Sequence, residues 1–440
     1  MGFCNLSFIH TSSFASVSHT IVTVAEASPI KQSNKKPEDD FFFWLSGFTD
    51  AEGNFLIYLD RGFVRFRFKI SLHIDDLEVL NTIKSKLNVG KVTVEVSRDR
   101  CNFIVDKHAD ILNVICPLFK SYPLHTSKRL DFEDFNQAVL IKDKTKQVNK
   151  SLSSVEMEKI ISLKNGMNSN RKTFTYNINK SQIIINPNWF IGFLEGEGTF
   201  GIKTGSALYF QVAQKNTSLE SLNAISTFLT ELPSALLNSK ILPLNVVSSI
   251  NIKTDVISLM ISSVDSLYYS VLPYLDTHKM YSRKAVDFQL WKIALLLKIR
   301  GYYYLLDGKK LFLDISDTIN KRYTTSNQNT DGIISEILER SEAIFATDSP
   351  FDVKAMIPHI DNVRKLSRAN KSLKPVVVYI YENKHMVEGS PFASYGAAHK
   401  SLGLKTTSNT CNRYMDTNRL YKNKYMFTSK PIDSTSKVGS

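Results

Sequence analysis

Cysteine is scarce in this chain. Four occur in 440 residues, at positions 4, 101, 116 and 411, and none forms a C-x-x-C pair. That argues against a disulfide scaffold or a zinc ribbon and fits a reducing compartment. Long apolar runs are also missing. The longest candidate, QLWKIALLLKIRGYYYLL (289–306), is interrupted by Lys292, Lys298 and Arg300, so it reads as a buried amphipathic helix rather than a membrane span. The nine histidines form neither H-E-x-x-H nor H-x-H, and neither G-x-S-x-G nor a P-loop is present. Single histidines such as His73 and His125 read as polar core or surface residues. Acid is in deficit: 42 Asp+Glu face 55 Lys+Arg, giving a net charge of +13 and a pI near 9.3. The expected partner is an anion, with nucleic acid first.

The excess is unevenly placed. From Lys354 onward 15 Lys+Arg oppose 5 Asp+Glu, so +10 of the +13 lies in the last fifth. The N-terminal 1–40 is Ser/Thr-rich with few acids and lacks the arginines of a transit peptide, and it reads as a disordered leader.

Residues 190–201, FIGFLEGEGTFG, contain G-x-G-x-x-G. A dinucleotide-binding turn must leave a strand and open a helix, so that helix amides face the pyrophosphate. Here the order is reversed. A helix-like WFIGFLEGE follows the cap-like Asn186-Pro187-Asn188, and strand-like TFGIK comes after the glycines. Glu197 would also face the pyrophosphate. A nicotinamide site is rejected.

A second copy gives the stretch its meaning. WLSGFTDAEGNF (44–55) matches WFIGFLEGEGTF (189–200), and FKISLHIDDLEVL (68–80) matches FQVAQKNTSLESL (210–222). KRLDFEDF (128–135) likewise matches KAVDFQLW (284–291). The spacings are 145 (52 to 197), 142 (68 to 210) and 156 (128 to 284), which places an insertion near KILPLNVVSS (240–249). The chain is an internal duplication. Gly47 and Ala51, and Gly192 and Gly196, are four apart, so each motif helix carries one small-residue stripe along which backbones can approach. Packed stripe to stripe, the helices would end at Gly53 and Gly198 as left-handed caps. Glu52 and Glu197 would lie side by side, where two carboxylates repel unless they share a proton or a cation. Oxygen ligands with open positions suit Mg²⁺.

LSGFTDAEG (45–53) and FIGFLEGEG (190–198) resemble the two motifs of single-chain LAGLIDADG homing endonucleases, and the resemblance spans residues 41 to 310. It implies an α+β saddle of two pseudo-symmetric αββαββα domains, with the motif helices at the centre and antiparallel sheets straddling double-stranded DNA. By position it makes Glu52 and Glu197 the metal-binding acids, assisted by the carbonyls of Ala51 and Gly196, with Mg²⁺ (or Mn²⁺) as cofactor. Lys128 and Lys284 match peripheral basic residues that polarise the site. Gln214 matches a water-ordering position whose counterpart in the first copy is Leu72. Asp50 and Glu195, at the sixth motif position, take a helix-end or interface role. The implied activity is metal-dependent, site-specific DNA cleavage by an intron-encoded protein of mitochondrial origin, acting as a monomer. The alternative within the family is an RNA-binding maturase acting on its own intron. Glu in both halves favours cleavage.

In VRFRFKISL (64–72), Arg65, Arg67 and Lys69 alternate with apolar residues, so one strand face is cationic. A β-ribbon fits the major groove, where arginine reads guanine. The second copy offers Tyr209 and Gln211, with Lys203 nearby. The domain boundaries expected are 41–140 and 187–310 for the two halves, with 141–186 and 311–373 as linkers. A module follows at 374–430, then a tail at 431–440. Within the module, 376–392 reads as a hairpin with a Glu-Asn-Lys turn, 394–415 as helix-turn-helix and 420–427 as a strand. Ala397, Ala398 and Leu402 suit the inner face of the first helix. Gly403 ends it, and Thr406 to Ser408 offer caps for the second. This resembles the NUMOD1 modules appended to homing endonucleases, with Asn409, Asn412 and Arg413 as the implied DNA readers.

Overall fold

The computed structural model describes residues 37–147, 151–174, 183–203, 206–234, 244–320, 330–350 and 377–432. The expected leader up to residue 36, residues 240–243 of the expected insertion, 351–373 of the second expected linker and the expected tail beyond 432 lie outside them. The two halves repeat one order of elements. In the first, helix α1 (Pro37–Glu52) runs without a loop into β1 (Gly53–Asp60), followed by β2 (Phe63–His73), α2 (Leu77–Leu87), β3 (Lys91–Glu95), β4 (Arg100–Val105), a helical stretch at 108–121 and α3 (Lys128–Gln147). A further helix, α4 (Ser154–Asn165), precedes the second half. That half is α5 (Pro187–Glu197), β5 (Gly198–Ile202), β6 (Leu208–Lys215), α6 (Leu219–Thr230), β7 (Val247–Asn251), β8 (Val256–Ile261), a helical stretch at 264–276 and α7 (Lys284–Ile299). The sheets have matching orders, β1-β2-β4-β3 and β5-β6-β8-β7, and every neighbouring pair is antiparallel.

Period-two alternation dictates which face each sheet buries. Val64, Phe66, Phe68 and Ile70 of β2 enter the core with Phe55, Phe103 and Val105, while Phe210, Val212, Leu259 and Ile261 do the same in the second half. The opposite faces remain accessible. Between the halves, the small-residue stripes meet as their spacing requires. A Cβ on Gly47 would stand 1.8 Å from the Trp189 carbonyl oxygen, and one on Gly192 would stand 1.9 Å from that of Trp44. At Gly196 an added Cβ would lie 2.4 Å from the Ala51 Cβ.

The helix ends differ from expectation. Gly198 is extended (φ −85°, ψ 154°), and Gly53 opens β1 directly. Glycine is needed there for space instead. A Cβ would lie 2.5 Å from Thr49 Cγ2 at Gly53 and 2.2 Å from Leu194 Cδ1 at Gly198.

Neither expected linker is only a connector. Helix α4 carries a capping box, with Ser153 and Glu156 bonding each other's backbone amides, and Ile160 and Met167 join the core. Asn168, in the left-handed conformation at φ 55°, donates its amide to Asp131 at 2.9 Å and its Nδ2 to the Phe55 carbonyl at 3.0 Å. Asn320 at φ 61° repeats this, donating to Asp287 at 2.9 Å and to the Phe200 carbonyl at 2.7 Å. The duplicated unit therefore continues past the third helix of each half, to Asn168 and Asn320. In the second half it includes α8 (Leu306–Thr318), whose Leu311, Phe312 and Ile315 are core residues, and it is joined by α9 (Thr330–Phe345) through Ile337.

The C-terminal module is a small sheet with two short helices: β9 (Tyr379–Glu382), β10 (His385–Met386), α10 (Tyr395–Ser401), α11 (Thr410–Tyr414) and β11 (Tyr425–Thr428). Its strand order is β10-β9-β11. The hairpin turns on Asn383 and Lys384, both at positive φ, and Gly403 (φ 67°) follows the first helix. Ala398 is buried, Leu402 is half-buried and Ala397 is exposed. Ser408 accepts from the Thr410 amide at 3.2 Å at the start of the second helix. The module is docked on α8: Arg419 meets Asp317 at 2.5 Å and also pairs with Asp314.

The seam predicts a specific sensitivity. Gly47→Ala or Gly192→Ala would drive a methyl into a backbone carbonyl that cannot rotate away. Overpacking of this kind costs about 1–3 kcal/mol or more, which should lower Tm by roughly 2–5 °C or more at this size. Gly396→Ala, whose Cβ would have its nearest neighbour at 3.9 Å, should leave Tm within about 1 °C. Thermal unfolding by circular dichroism separates the two cases.

Candidate active site at the helix seam

Two carboxylates meet where α1 and α5 end. A Cβ on Gly196 would lie 3.2 Å from Glu52 Oε1, so the Glu52 carboxylate rests on the backbone of the other motif. Glu197 sits in the same space. Burial, and next the charge of Glu52, push its carboxyl up to about 6, opposed by Lys128 and by a hydrogen bond from Gln214. That bond, Gln214 Nε2 to Glu197 Oε1, measures 3.2 Å. Leu72 stands at the matching strand position in the first half, two residues beyond the match of Ile70 with Val212.

The two lysines of the K-x-x-D-F segments are brought to this centre by the N-termini of α3 and α7. Lys128 Nζ donates to the carbonyls of Thr49 at 3.0 Å and Ala51 at 3.2 Å. Burial lowers its pKa, and Asp50, Glu52 and Glu197 oppose that shift. Lys284 Nζ is buried and donates to the Gly198 carbonyl at 2.9 Å. The halves are thus not equivalent. Lys128 reaches the carbonyl before the first acid, whereas Lys284 reaches the one after the second.

The sixth-position acids hold this arrangement. Asp50 accepts from Trp189 Nε1 of the other motif at 3.0 Å, and from the amides of His125 at 2.7 Å and Thr126 at 3.1 Å. Glu195 accepts from Trp44 Nε1 at 2.6 Å, and from the amides of Tyr281 at 3.0 Å and Ser282 at 2.5 Å. Each acid therefore ties the opposite motif helix to the turn that launches its own half's lysine helix. Burial raises both pKa values, and the hydrogen bonds pull against it. The motif repeat contained Trp44 and Trp189, but reciprocal pairing across a two-fold axis is invisible until the helices cross.

The expected cation site can be tested against these donors. Two glutamates, one with its carboxyl raised by burial and by its neighbour's charge, form a pocket whose electrostatic defect a divalent cation would relieve. The Ala51 carbonyl already accepts from Lys128, which leaves it one further lone pair. Among the described residues no cluster of three His, Cys, Asp or Glu side chains is found. A cation here would therefore take two carboxylates and main-chain oxygens, and its remaining ligands from outside the protein. The donor set fits a hard oxygen-seeking ion.

The expected DNA-facing side chains lie on the open faces of the sheets. Arg65 is exposed and stands 3.7 Å from Asp60. Arg67 donates to the Tyr58 hydroxyl at 3.2 Å, and Lys69 follows on the same face. Tyr209 lays its ring over Gly201, where a Cβ would be 2.1 Å away, and Lys203 stacks on that ring at 5.5 Å. Gln211 donates to the Ser258 hydroxyl at 3.4 Å. In the module, Asn412 Nδ2 donates to Asn409 Oδ1 at 3.2 Å, so two of the expected readers bond each other. Arg413 does not fit the role assigned from sequence. It is buried, and it donates to Ser316 of α8 at 3.0 Å. The helix is one turn long, and its Arg413 face is the one turned toward the second half.

Burial of Glu197 beside the Glu52 charge has a pH signature. The Glu197 carboxyl, raised from 4.5 to about 6 in the fold, binds its proton more tightly when folded than when unfolded. The stability gained from that proton is full below pH 4.5 and is lost as pH rises through 6. In EDTA at pH 7, Glu197→Gln should therefore unfold at a higher temperature than the unsubstituted protein, by up to about 2 kcal/mol. The gap should close below pH 4.5. A gap independent of pH would show that burial and the Glu52 charge do not raise this carboxyl in the fold.

Comparison with known proteins agrees with this geometry. The pattern described as LAGLIDADG endonuclease matches residues 45–139 and 190–295. The uncharacterized mitochondrial protein RF1 of Saccharomyces cerevisiae is 26% identical over 98% of this chain and 90% of its own length. Probable intron-encoded endonuclease 3 of Neurospora crassa is 30% identical over 38% of this chain and 35% of its own. Among solved structures, the LAGLIDADG homing endonuclease I-GzeII in complex with its DNA target superposes with a TM-score of 0.55 and 23% identity, covering 64% of this chain and 99% of that one. I-LtrWI bound to target DNA gives 0.56 and 18%, covering 65% and 100%. At these identities the solved structures establish the fold, two domains with antiparallel sheets. Both copies of the motif, the doubled sheets and the paired glutamates converge on one conclusion: the chain is a two-repeat member of the LAGLIDADG endonuclease family.

Proposed function

We propose that the protein is a site-specific, intron-encoded DNA endonuclease that works in the mitochondrion and hydrolyses one phosphodiester on each strand with divalent cations, Mg²⁺ or Mn²⁺. One observation carries this reading: the charge-strained pair Glu52 and Glu197 at the crossing of the two halves, with Lys128 bonding the Ala51 carbonyl beside the first acid and Gln214 bonding the second. Bound there, the cations supply charge to neutralise scissile phosphates and leaving oxygens and to make hydroxide available near neutral pH. The protein's own contribution is placement. Glu52 and Glu197 would hold the ions with the Ala51 and Gly196 carbonyls. Lys128 fixes the end of α1 by bonding its last carbonyls, and Lys284 fixes the start of β5. Gln214 orients the Glu197 carboxylate and is placed to order water beside it. The open sheet faces carry the DNA contacts, through Arg65, Arg67 and Lys69 in the first half and Tyr209, Gln211 and Lys203 in the second. The C-terminal module resembles NUMOD1 and adds contacts through Asn409, Asn412 and its exposed lysines.

Glu52→Gln or Glu197→Gln should abolish double-strand cleavage of a cognate plasmid in Mg²⁺ while duplex binding in Ca²⁺ survives, because shape and charge contacts remain. Linearisation by both variants at near the original rate would place the active site elsewhere. Deleting residues 374–440 should weaken binding to a long duplex and flatten its salt dependence, since counterion release scales with the phosphates neutralised. An unchanged affinity and salt slope, measured by titration at several salt concentrations, would make the module an adaptor for something else.

A further inference from the structure

The two open sheet faces are built from different chemistry, although their frameworks are the same. Register assigns Arg65, Arg67 and Lys69 of β2, Arg100 of β4 and Lys91 of β3 to one face in the first half. Glu95 shares that face and accepts from Asn102 at 2.9 Å. Asp60 and Asp106 flank it, pairing with Arg65 and with Lys91 at 3.7 and 3.0 Å. On the corresponding strands of the second half, Tyr209, Gln211, Val247, Ser249, Ser258 and Met260 share the open face. Among the described residues the cations on that face are Lys203 and Lys215, and both stand at strand ends. Its middle is uncharged.

Charged and uncharged side chains recognise different base pairs in the major groove. Arginine and lysine pair with guanine O6 and N7, and carboxylates accept from cytosine N4. Amides pair with adenine, and apolar side chains contact the thymine methyl. We propose that the two repeats read chemically different half-sites: the first a G·C-weighted half-site through charged side chains, the second an A·T-weighted half-site through amide, hydroxyl, aromatic and apolar ones. The proposal rests on the DNA-binding reading above and adds the composition and polarity of the target. The internal ion pairs of the first face fit it. Arg65, Arg67 and Lys91 each pair with a neighbour on the sheet, Asp60, Tyr58 and Asp106, so less rotamer freedom is lost on binding. The second face gains most from matching shape and methyl groups, and little from salt-sensitive pairing with phosphates.

The test is selection of binders from a random duplex library by the full-length protein in Ca²⁺, followed by sequencing. Two double variants are run beside it, Arg65→Ala/Arg67→Ala and Gln211→Ala/Met260→Ala, each first shown to keep the original Tm. The expected pool has one G·C-weighted and one A·T-weighted flank. The arginine variant should relax the G·C-weighted flank by roughly tenfold or more in discrimination. It should also reduce the salt slope by about one for each phosphate that is no longer neutralised. The Gln211/Met260 variant should relax only the A·T-weighted flank and leave the salt slope unchanged. A structured pool with flanks of equal composition, or arginine variants that relax the A·T-weighted flank, overturns the proposal while leaving the DNA-binding reading intact. No enrichment of any duplex overturns both.

Discussion

The whole arrangement depends on two helices whose backbones touch. Gly47 and Gly192 each face the other helix's tryptophan carbonyl so closely that a single methyl could not be inserted. A helix pair separated by ordinary side chains would stand about 8–10 Å apart. Its C-terminal carboxylates would then be too far apart to act on one another. Close approach at the glycine stripe buries Glu197 and brings Glu52 into its field, and burial and that field together raise the Glu197 carboxyl. Backbone proximity and functional electrostatics are one constraint. The cost of holding two acids together is offset by burial elsewhere along the seam, where Trp44 stacks on Phe48 and Trp189 on Phe193 at centroid distances of 4.9 and 5.1 Å.

The second element of control is reciprocity. Asp50 and Glu195 accept from tryptophans of the opposite motif and from the turns before α3 and α7. A rotation of either half about the seam would break a buried, charge-assisted bond on both sides, and leaving such a group unsatisfied is expensive. Further hydrogen bonds repeat the device nearby. Ser127 donates its amide to Ser218 at 3.0 Å, and Arg283, at the equivalent position, donates to Asp76 at 2.7 Å. Both lysine helices are therefore positioned from the opposite half as well as from their own.

Much of this is legible in the sequence because duplication doubles every signal. One small-residue stripe or one glutamate at a helix end means little. Two copies with nearly constant spacing identify the seam, the acid pair and the lysine helices. Period two exposes the cationic face of β2 for the same reason: alternation survives in any register that buries Phe66 and Phe68. The departures have physical causes. Gly53 and Gly198 read as left-handed caps, but helix runs straight into strand and the glycines serve packing instead. Asn168 and Asn320 lie 152 residues apart in segments of unlike composition. The clamp they share consists of a side-chain amide and a positive φ, which hydrophobic periodicity does not report. The region after residue 311 reads as polar linker because its apolar residues are spaced for a helix packed on one side, in a stretch diluted by charge. Arg413 reads as a DNA contact because helix position alone does not say which face is docked.

Symmetry and asymmetry sit at different depths in this molecule. The seam, the sixth-position acids, the asparagine clamps and the sheet orders repeat closely, because each fixes geometry that both halves must share. Departures occur around the acid pair and on the open sheet faces. Gln214 corresponds to Leu72, Lys128 and Lys284 bond different carbonyls, and β2 with its row of cations corresponds to β6, charged only at its terminal Lys215. A double helix has a backbone that is nearly two-fold symmetric about a cleavage site, but its base sequence need not be. A duplicated protein bound to it is constrained at the backbone-aligned centre and free to diverge on the faces that meet base edges. The contrast between β2 and β6 follows that division, whereas the differences at Gln214, Lys128 and Lys284 lie at the centre itself.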